Sequence, residues 1–538
     1  MDDLARIALV GTSKQPAAAD GDSTHPADAL VAAVASEDRE HRFLLRAGAR
    51  AAYEQCGWRP PGGITALEPA PPETLPIASS RILGLLQNAI ASSSWDLLIE
   101  FLQQLAGLGL VLPPELLPAS LGLGETGVRE ALLPVLGERG RWLSRLNSDW
   151  YWVTEGIGQL SSANRDELLQ LWEEGNITQR CRALRALRLG APADARERLE
   201  ISFGKDSAEH RARLVECLAV SLGSDDEAFL EARLDDRSEH VRRAAVELLA
   251  KLPDSALAGR MRTRAEGMLA GEKKGLILQS FALTCTPPEE IDKAWERDGI
   301  PKKVPTGVGK RAVWTETVLD LVPPGIWPET LGQPPEKLIQ AIREDNFARS
   351  VLLGWTRAAA RFAASDPTSA AWLRPLWDYW TGFAIEGGGD EKKFRVVAEP
   401  LQALLGGMPG PAAEEAFRPI LKAAAAGGAI DLLGYLTQIR RPWSPAFGTD
   451  YLKFARHAVK GEGDSRAYQW ASSLRTAARA LPKDCFAAAL EPWEVAPEST
   501  ASKWHSQAIV REVDLFTDTI QTRRSFFDEL AATNPASP

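Results

Sequence analysis

The sequence is poor in the residues on which metal centres, disulfide frameworks and sheets depend. Among 538 residues there are five cysteines and six histidines. Cys56, Cys181, Cys217, Cys285 and Cys485 are odd in number and contain no CxxC pair, whereas disulfide frameworks and zinc sites need paired spacing. Reduced thiols are the expectation. The histidines stand apart from one another and from the cysteines, and no HExxH, GxSxG, GxGxxG or EF-hand pattern occurs. No catalytic residue, metal site or cofactor is therefore expected. Runs of alternating Val, Ile and Thr are scarce, so a sheet has little material. No apolar stretch approaches the ~20 residues of a membrane span. The opening MDDLARIALVGTSK carries acid where a signal peptide needs base, so a cytoplasmic location is expected. A net charge of −10 gives no global pull toward nucleic acid or anionic lipid.

What remains is helix. Alanine runs such as 358–360 and 423–426 favour it, because Ala loses no side-chain entropy there. The fold class expected is all-α, with several cores or one elongated stack at this length. Pro26 opens a helical pattern that runs to about Gly57. Six prolines in 58–77 predict an extended connector, and helical patterns resume at 78–91, 95–107, 114–121 and 125–146.

Residues 163–285 align with themselves at an offset of 31. Leu168, Leu199 and Leu230 share one column, and Trp172, Phe203 and Leu234 another. In the second half of each unit, Leu184, Val215 and Val246 align, then Leu187, Leu218 and Leu249. Asn176, Ser207 and Ser238 lie between the halves, and all three are good N-cap residues. Each unit is thus two amphipathic helices around a capped turn, stacked as a solenoid because one pair cannot bury its own apolar face. A weaker fourth copy follows with Met261, Ala265 and Ile277. Arg180, Arg211 and Arg242 recur four residues after each cap, where the helix dipole opposes a cation. That predicts a carboxylate partner in the preceding turns, with Glu174, Asp206 and Asp236 available. The segment ARLDDRSEHVRRAAVELLAKL (232–252) resembles the HEAT repeat, which implies an α-solenoid and protein–protein contact.

The expected organisation is an N-terminal helical region over 1–160, a HEAT-like array over 161–285, a connector over 286–336 and a C-terminal helical domain over 337–538. The connector carries nine prolines and a basic patch at Lys302, Lys303, Lys310 and Arg311. Its PTGVGKRAVW is not a Walker loop, since Val304 and Arg311 stand where Gly and Ser or Thr are required. Near the end, Ile509, Val513, Phe516, Ile520, Phe527 and Leu530 form an apolar seam on a helix expected over about 499–531.

Seventeen tryptophans are many for the length. Trp372, Leu376, Tyr379 and Trp380 fall near one helical stripe and predict core. In GERGRWLSRLNSDWYWV (137–153), Arg141 stands among Trp142, Trp150 and Trp152, a mixture able to form a peptide or ligand pocket. Its plainer reading is a corner packed with Trp. Cys217 lies on the apolar face beside Leu218 and predicts a small core residue.

LGERGRWLSRLNSDWYWV (136–153), the stretch 225–261, AVWTETVLDLVPPGIW (312–327) and RRPWSP (440–445) together resemble a bacterial family named only as a domain of unknown function, number 5691. The resemblance implies no catalytic residues. Members lie near genes for MoxR-type AAA+ ATPases, VWA-domain proteins and SWIM zinc-finger proteins, which implies an adaptor in an ATPase-driven system. The function expected is a non-enzymatic scaffold that binds protein across the face of the second helices, with Arg180, Arg211, Arg242, Arg141, Trp142, Trp150 and Trp152 as candidate contacts. The alternative is an enzyme on a HEAT-like scaffold, either DNA glycosylase-like with the array's arginines on phosphate, or a chromophore lyase.

Overall fold

The structure, a computed structural model, describes residues 3–14, 25–32, 34, 38–57, 67–150, 152–153, 165–274, 280–304, 306–386, 391–461, 465–495 and 503–533. Residues up to Ala70 form one compact unit, with α1 (Asp3–Val10), α2 (Pro26–Ala32) and α3 (Arg39–Gly57). The pattern expected to run unbroken from 26 to 57 is two helices. Asp38 Oδ1 accepts from the N–H groups of Glu40 (2.9 Å) and His41 (3.4 Å) and so starts α3 afresh. Asp28 ties α2 to α3 through Arg46 and Arg50 at 2.8 and 2.6 Å.

The second unit begins at Pro71. Its first module comprises α4 (Ser80–Ala91), α5 (Trp95–Gly107), α6 (Leu117–Leu121), α7 (Thr126–Leu132) and α8 (Gly137–Ser144), around Ile82, Leu86, Phe101, Leu102, Leu105 and Leu132. The helix expected over 125–146 is interrupted by a 3-10 turn at Leu133–Val135, where Pro134 lacks an N–H. Gly137 then turns the chain at φ +64°, and a Cβ there would strike the Glu73 carboxylate. That carboxylate caps α8 by accepting from the N–H groups of Glu138 (2.8 Å) and Arg139 (2.9 Å).

The 31-residue period becomes three helix pairs: α9 (Arg165–Glu174) with α10 (Ile177–Gly190), α11 (Pro192–Ser202) with α12 (Ala208–Glu216), and α13 (Glu227–Arg233) with α14 (Glu239–Leu249). Every residue of the four apolar columns is buried. Asn176 and Gln179 form a reciprocal capping box, and Ser207 Oγ accepts from His210 N–H. Ser238 makes no side-chain cap; Asp236 Oδ1 instead takes the Ser238 N–H at 2.8 Å. The fourth copy is cut short. α15 (Ala256–Met268) buries Met261 and Ala265, but the chain then forms an antiparallel hairpin of β1 (Leu269–Lys274) and β2 (Ser280–Cys285), with Leu269 opposite Cys285. The cap column falls here on Leu269, whose side chain cannot accept from a backbone N–H, and β1 begins where a second helix would start. Ile277 lies outside the described residues.

The proline-rich stretch contains α16 (Lys293–Arg297), α17 (Lys310–Asp320) and α18 (Trp327–Leu331). Pro328 sits in the first turn of α18, where a missing N–H costs nothing. Trp314, Val318, Leu319 and Trp327 are buried in the core that the array also fills. The chain continues through α19 (Pro335–Ile342), α20 (Ala348–Phe362), α21 (Pro367–Ala370), α22 (Leu373–Glu386), α23 (Glu391–Gly407), α24 (Gly410–Ala425), α25 (Pro445–Val459), α26 (Ser465–Ala480), α27 (Phe486–Ala489) and α28 (Lys503–Thr533). One continuous core runs from Leu168 in α9 to Ile520 in α28. Trp372, Leu376 and Trp380 are buried within it, and the Trp355 and Trp372 rings stand 4.8 Å apart. Among the described residues the fold is all-α apart from the hairpin, and no described helix is long and apolar enough to cross a membrane.

α28 packs along α26 with Ile509, Val513, Phe516 and Ile520 buried, as its seam predicts. Past Ile520 the seam changes partner. Phe526, not Phe527, is fully buried, stacked on Phe101 of α5 at 3.8 Å. The first module and the last helix therefore share a core.

Candidate functional site

The arginine column is an internal ladder. Arg180 Nη1 and Nη2 reach Asp206 at 2.5 and 3.0 Å, and Arg211 Nε and Nη2 reach Asp236 at 3.1 and 2.8 Å. Each carboxylate belongs to the following unit, not to the preceding turn as expected. The preceding turn supplies only backbone: Arg211 donates to Asp206 O (2.9 Å) and Arg242 to Asp236 O (2.7 Å). Arg180 also lies 4.6 Å over the Trp172 ring and Arg211 5.7 Å over Phe203. Burial pushes the Asp236 carboxyl up, but hydrogen bonds from Arg211 and the Ser238 N–H outweigh it and set it below the usual carboxylate range. The ladder ends at Arg242, because the residues one unit on are Gly267 and Met268.

Asp236→Ala leaves the nearly buried Arg211 without its carboxylate and the Ser238 N–H without an acceptor. The expected loss is about 3 kcal/mol of unfolding free energy, at the low end for breaking a buried pair because Asp236 keeps some solvent. Denaturant unfolding of the full chain measures it, and a loss in the range of a surface pair, below about 1 kcal/mol, contradicts the ladder.

With Arg180 and Arg211 paired internally, the exposed face of the second helices presents both signs. One outward column reads Arg185, Glu216 and Glu247, all exposed; in the column beside it Arg182 and Arg213 are half-buried and Ala244 is buried. Arg213 donates to Thr178 Oγ1 at 3.3 Å. Beneath this face Cys181 and Cys217 are buried, as the apolar reading of Cys217 predicts. A hydrogen bond from Cys217 and the nearby Arg213, Arg185 and Arg180 outweigh burial and hold the Cys181 thiol down at about 7.

The Trp segment is a packed corner. Trp150 and Trp152 lie half-buried against the first module's core, and Trp152 Nε1 donates to Leu121 O at 3.2 Å beneath Arg129. Trp142 is half-buried on α8, and Arg141 pairs with Glu138 at 3.2 Å.

A cleft of about 560 Å³ lies where α5 meets the end of α26 and α28. The RRPWSP turn builds one edge. Trp443 is buried against Phe447 and Tyr451, its backbone N–H donates to Ala480 O (2.8 Å), and Ser444 N–H and Oγ donate to Glu414 at 2.7 and 2.5 Å. That anchoring projects Arg441 and Pro442 into the cleft. Arg479 and Lys483 enter from the end of α26, Asp96 and Glu100 from α5, and Arg523 from α28. Arg523 is only 2% exposed, holds both oxygens of Glu100, and donates to the carbonyls of Ala478 (2.8 Å) and Leu481 (2.9 Å). Arg479 and Arg441 converge on one oxygen, Asp96 Oδ2, at 2.5 and 3.5 Å. Four cations thus face two carboxylates. Sequence reasoning missed this cleft because its walls come from segments hundreds of residues apart. The available signals were the RRPWSP segment and the charge of Arg523 inside an apolar seam.

A family of unknown function (DUF5691) matches residues 3–530, and the chain belongs to it. No curated protein matches the chain.

Proposed function

We propose that this family member is a non-enzymatic helical-repeat scaffold with HEAT-like pairs, binding a partner protein along the exposed face of α10, α12 and α14. The observation that carries this reading is the charge on that face. Arg180 and Arg211 are tied to Asp206 and Asp236, and the outward column passes from Arg185 to Glu216 and Glu247. Interspersed charge of both signs suits a protein surface, whereas a phosphate backbone asks for a continuous basic stripe. The partner proposed is a component of an AAA+ ATPase and VWA-protein assembly.

Co-purification of the tagged full chain from its native host, with and without ATP, tests the proposal. A stable protein partner whose recovery falls with Arg185→Glu or Glu216→Arg is the expected result. Recovery of no partner, or duplex DNA binding that weakens steeply with salt, overturns it in favour of the nucleic-acid reading.

A further inference from the structure

We propose that the cleft between α5, α26 and α28 is a binding site for a small amphipathic anion: one carboxylate or phosphate head on an apolar body. Its volume of about 560 Å³ lies in the range of small-molecule sites, and its lining is two-sided. Ile99, Leu108 and Phe527 from the two helices supply apolar surface, while Arg441, Arg479 and Lys483 from the turns supply positive charge.

Donor accounting separates the cations that build the cleft from those that can hold a ligand. Arg523 commits four of its five N–H groups to Glu100 and two carbonyls and is only 2% exposed. Arg441 and Arg479 have one carboxylate oxygen between them, and Arg441 reaches it only at 3.5 Å. The Lys483 ammonium has no ion pair or hydrogen bond among the described residues. Two planar guanidiniums and an ammonium therefore meet a single carboxylate, leaving most of their N–H groups to solvent. A guanidinium fork matches a carboxylate or phosphate in two parallel bonds, and Lys483 adds a point charge beside it. The chain as a whole carries −10, so the attraction comes from these close contacts and not from the protein's overall field. The apolar body replaces water against Ile99, Leu108 and Phe527. This site stands or falls independently of the scaffold surface on the array.

The test is fluorescence titration of the full chain with 1-anilinonaphthalene-8-sulfonate, an aromatic anion, followed by displacement. The expected result is one saturable site per chain, cleared by decanoate or decyl phosphate but not by acetate, inorganic phosphate or decanol. The tighter of the two decyl anions identifies the head group. Arg441→Gln and Lys483→Gln are each expected to weaken binding about tenfold, as removal of a charge-assisted hydrogen bond does. Both side chains project from turns into the cleft, so their melting curves serve as the control for folding, and Lys337→Gln, on the exposed side of α19 and outside the cleft lining, leaves affinity unchanged. Absence of a saturable site overturns the proposal, as does equal affinity in Arg441→Gln, in Lys483→Gln and in the unaltered chain. Displacement by a Glu-rich peptide and by neither decyl anion also overturns it, assigning the cleft to a protein segment instead.

Discussion

Replacing Arg188 by Met will cost the chain roughly 3–5 kcal/mol near neutral pH, the range for stripping one partner from a buried ion pair. Arg188 is completely buried at the end of α10, and its five N–H groups meet five acceptors. Two are the oxygens of Asp226, at 3.0 and 2.6 Å. The others are the carbonyls of Val220 (2.6 Å), Ser221 (2.8 Å) and Pro192 (3.3 Å). Ser221 sits at φ +50°, a left-handed conformation that costs a serine energy, and Arg188 fixes its carbonyl. Met fills the volume but satisfies none of these groups.

The pH dependence distinguishes this account from simple loss of packing. Burial pushes the Asp226 carboxyl up, but hydrogen bonds from Arg188, Arg196 and the Gly223 N–H bring it below the usual carboxylate range. A carboxyl so depressed contributes stability that is whole above its unfolded pKa and is lost as pH falls through the folded value. In Arg188→Met one of the opposing hydrogen-bond donors is gone, burial gains the upper hand, and the carboxyl rises. The variant's deficit is therefore largest near neutrality and narrows toward about pH 4, where the native pair begins to weaken as well. Urea unfolding at both pH values measures it. A deficit that stays constant with pH would mean that Met merely packs badly.

The second large effect is expected at Arg523. Arg523→Met leaves Glu100 without its partner and strips the donors from the Ala478 and Leu481 carbonyls, for a loss of roughly 3 kcal/mol. The loss is local in character. Arg523 joins α28 to α5, so amide exchange should speed up over 80–107 and 520–533 while α9–α14 keep their protection. Adding Glu100→Leu to Arg523→Met should recover part of the stability, because an apolar pair avoids the desolvation of the ionic one. Uniform acceleration of exchange across the chain, or a double variant weaker than Arg523→Met alone, would sink this reading.

The repeat array was the most legible part of the sequence, since a 31-residue period places equivalent side chains on equivalent faces. The four apolar columns are buried, and two of the three caps bond as their residue types predict. The arginine partners were misplaced by one unit because a periodic sequence offers Asp206 to Arg180 and to Arg211 alike. Only the stacking of the pairs decides between them. Arg188 left a fainter trace: the same offset aligns it with Ala219 and Ala250, so a large cation stands where the later units carry a small residue. The seam on α28 was legible to Ile520 and again at buried Leu530, but it put Phe527 in the place of Phe526, because the helix there passes from α26 to α5 and a change of partner leaves no mark on periodicity. The cleft was hidden for the same reason, as Asp96, Arg441 and Arg523 become neighbours only through long-range packing.

The stacking of Phe101 on Phe526 and the tie of Glu100 to Arg523, 423 residues apart in sequence, have a consequence for synthesis. The chain emerges from the ribosome from its N-terminus, so α4 to α8 exist long before α28 does. Throughout that interval the face around Phe101 has no cover, and Glu100 waits without its cation. Contacts of such long range close slowly, because the intervening loop must first be gathered. The module of α4 to α8, made early, is thus among the last to be finished. A ribosome stalled ahead of residue 523 presents an exposed phenylalanine face, the kind of surface that chaperones hold until the rest of the chain arrives.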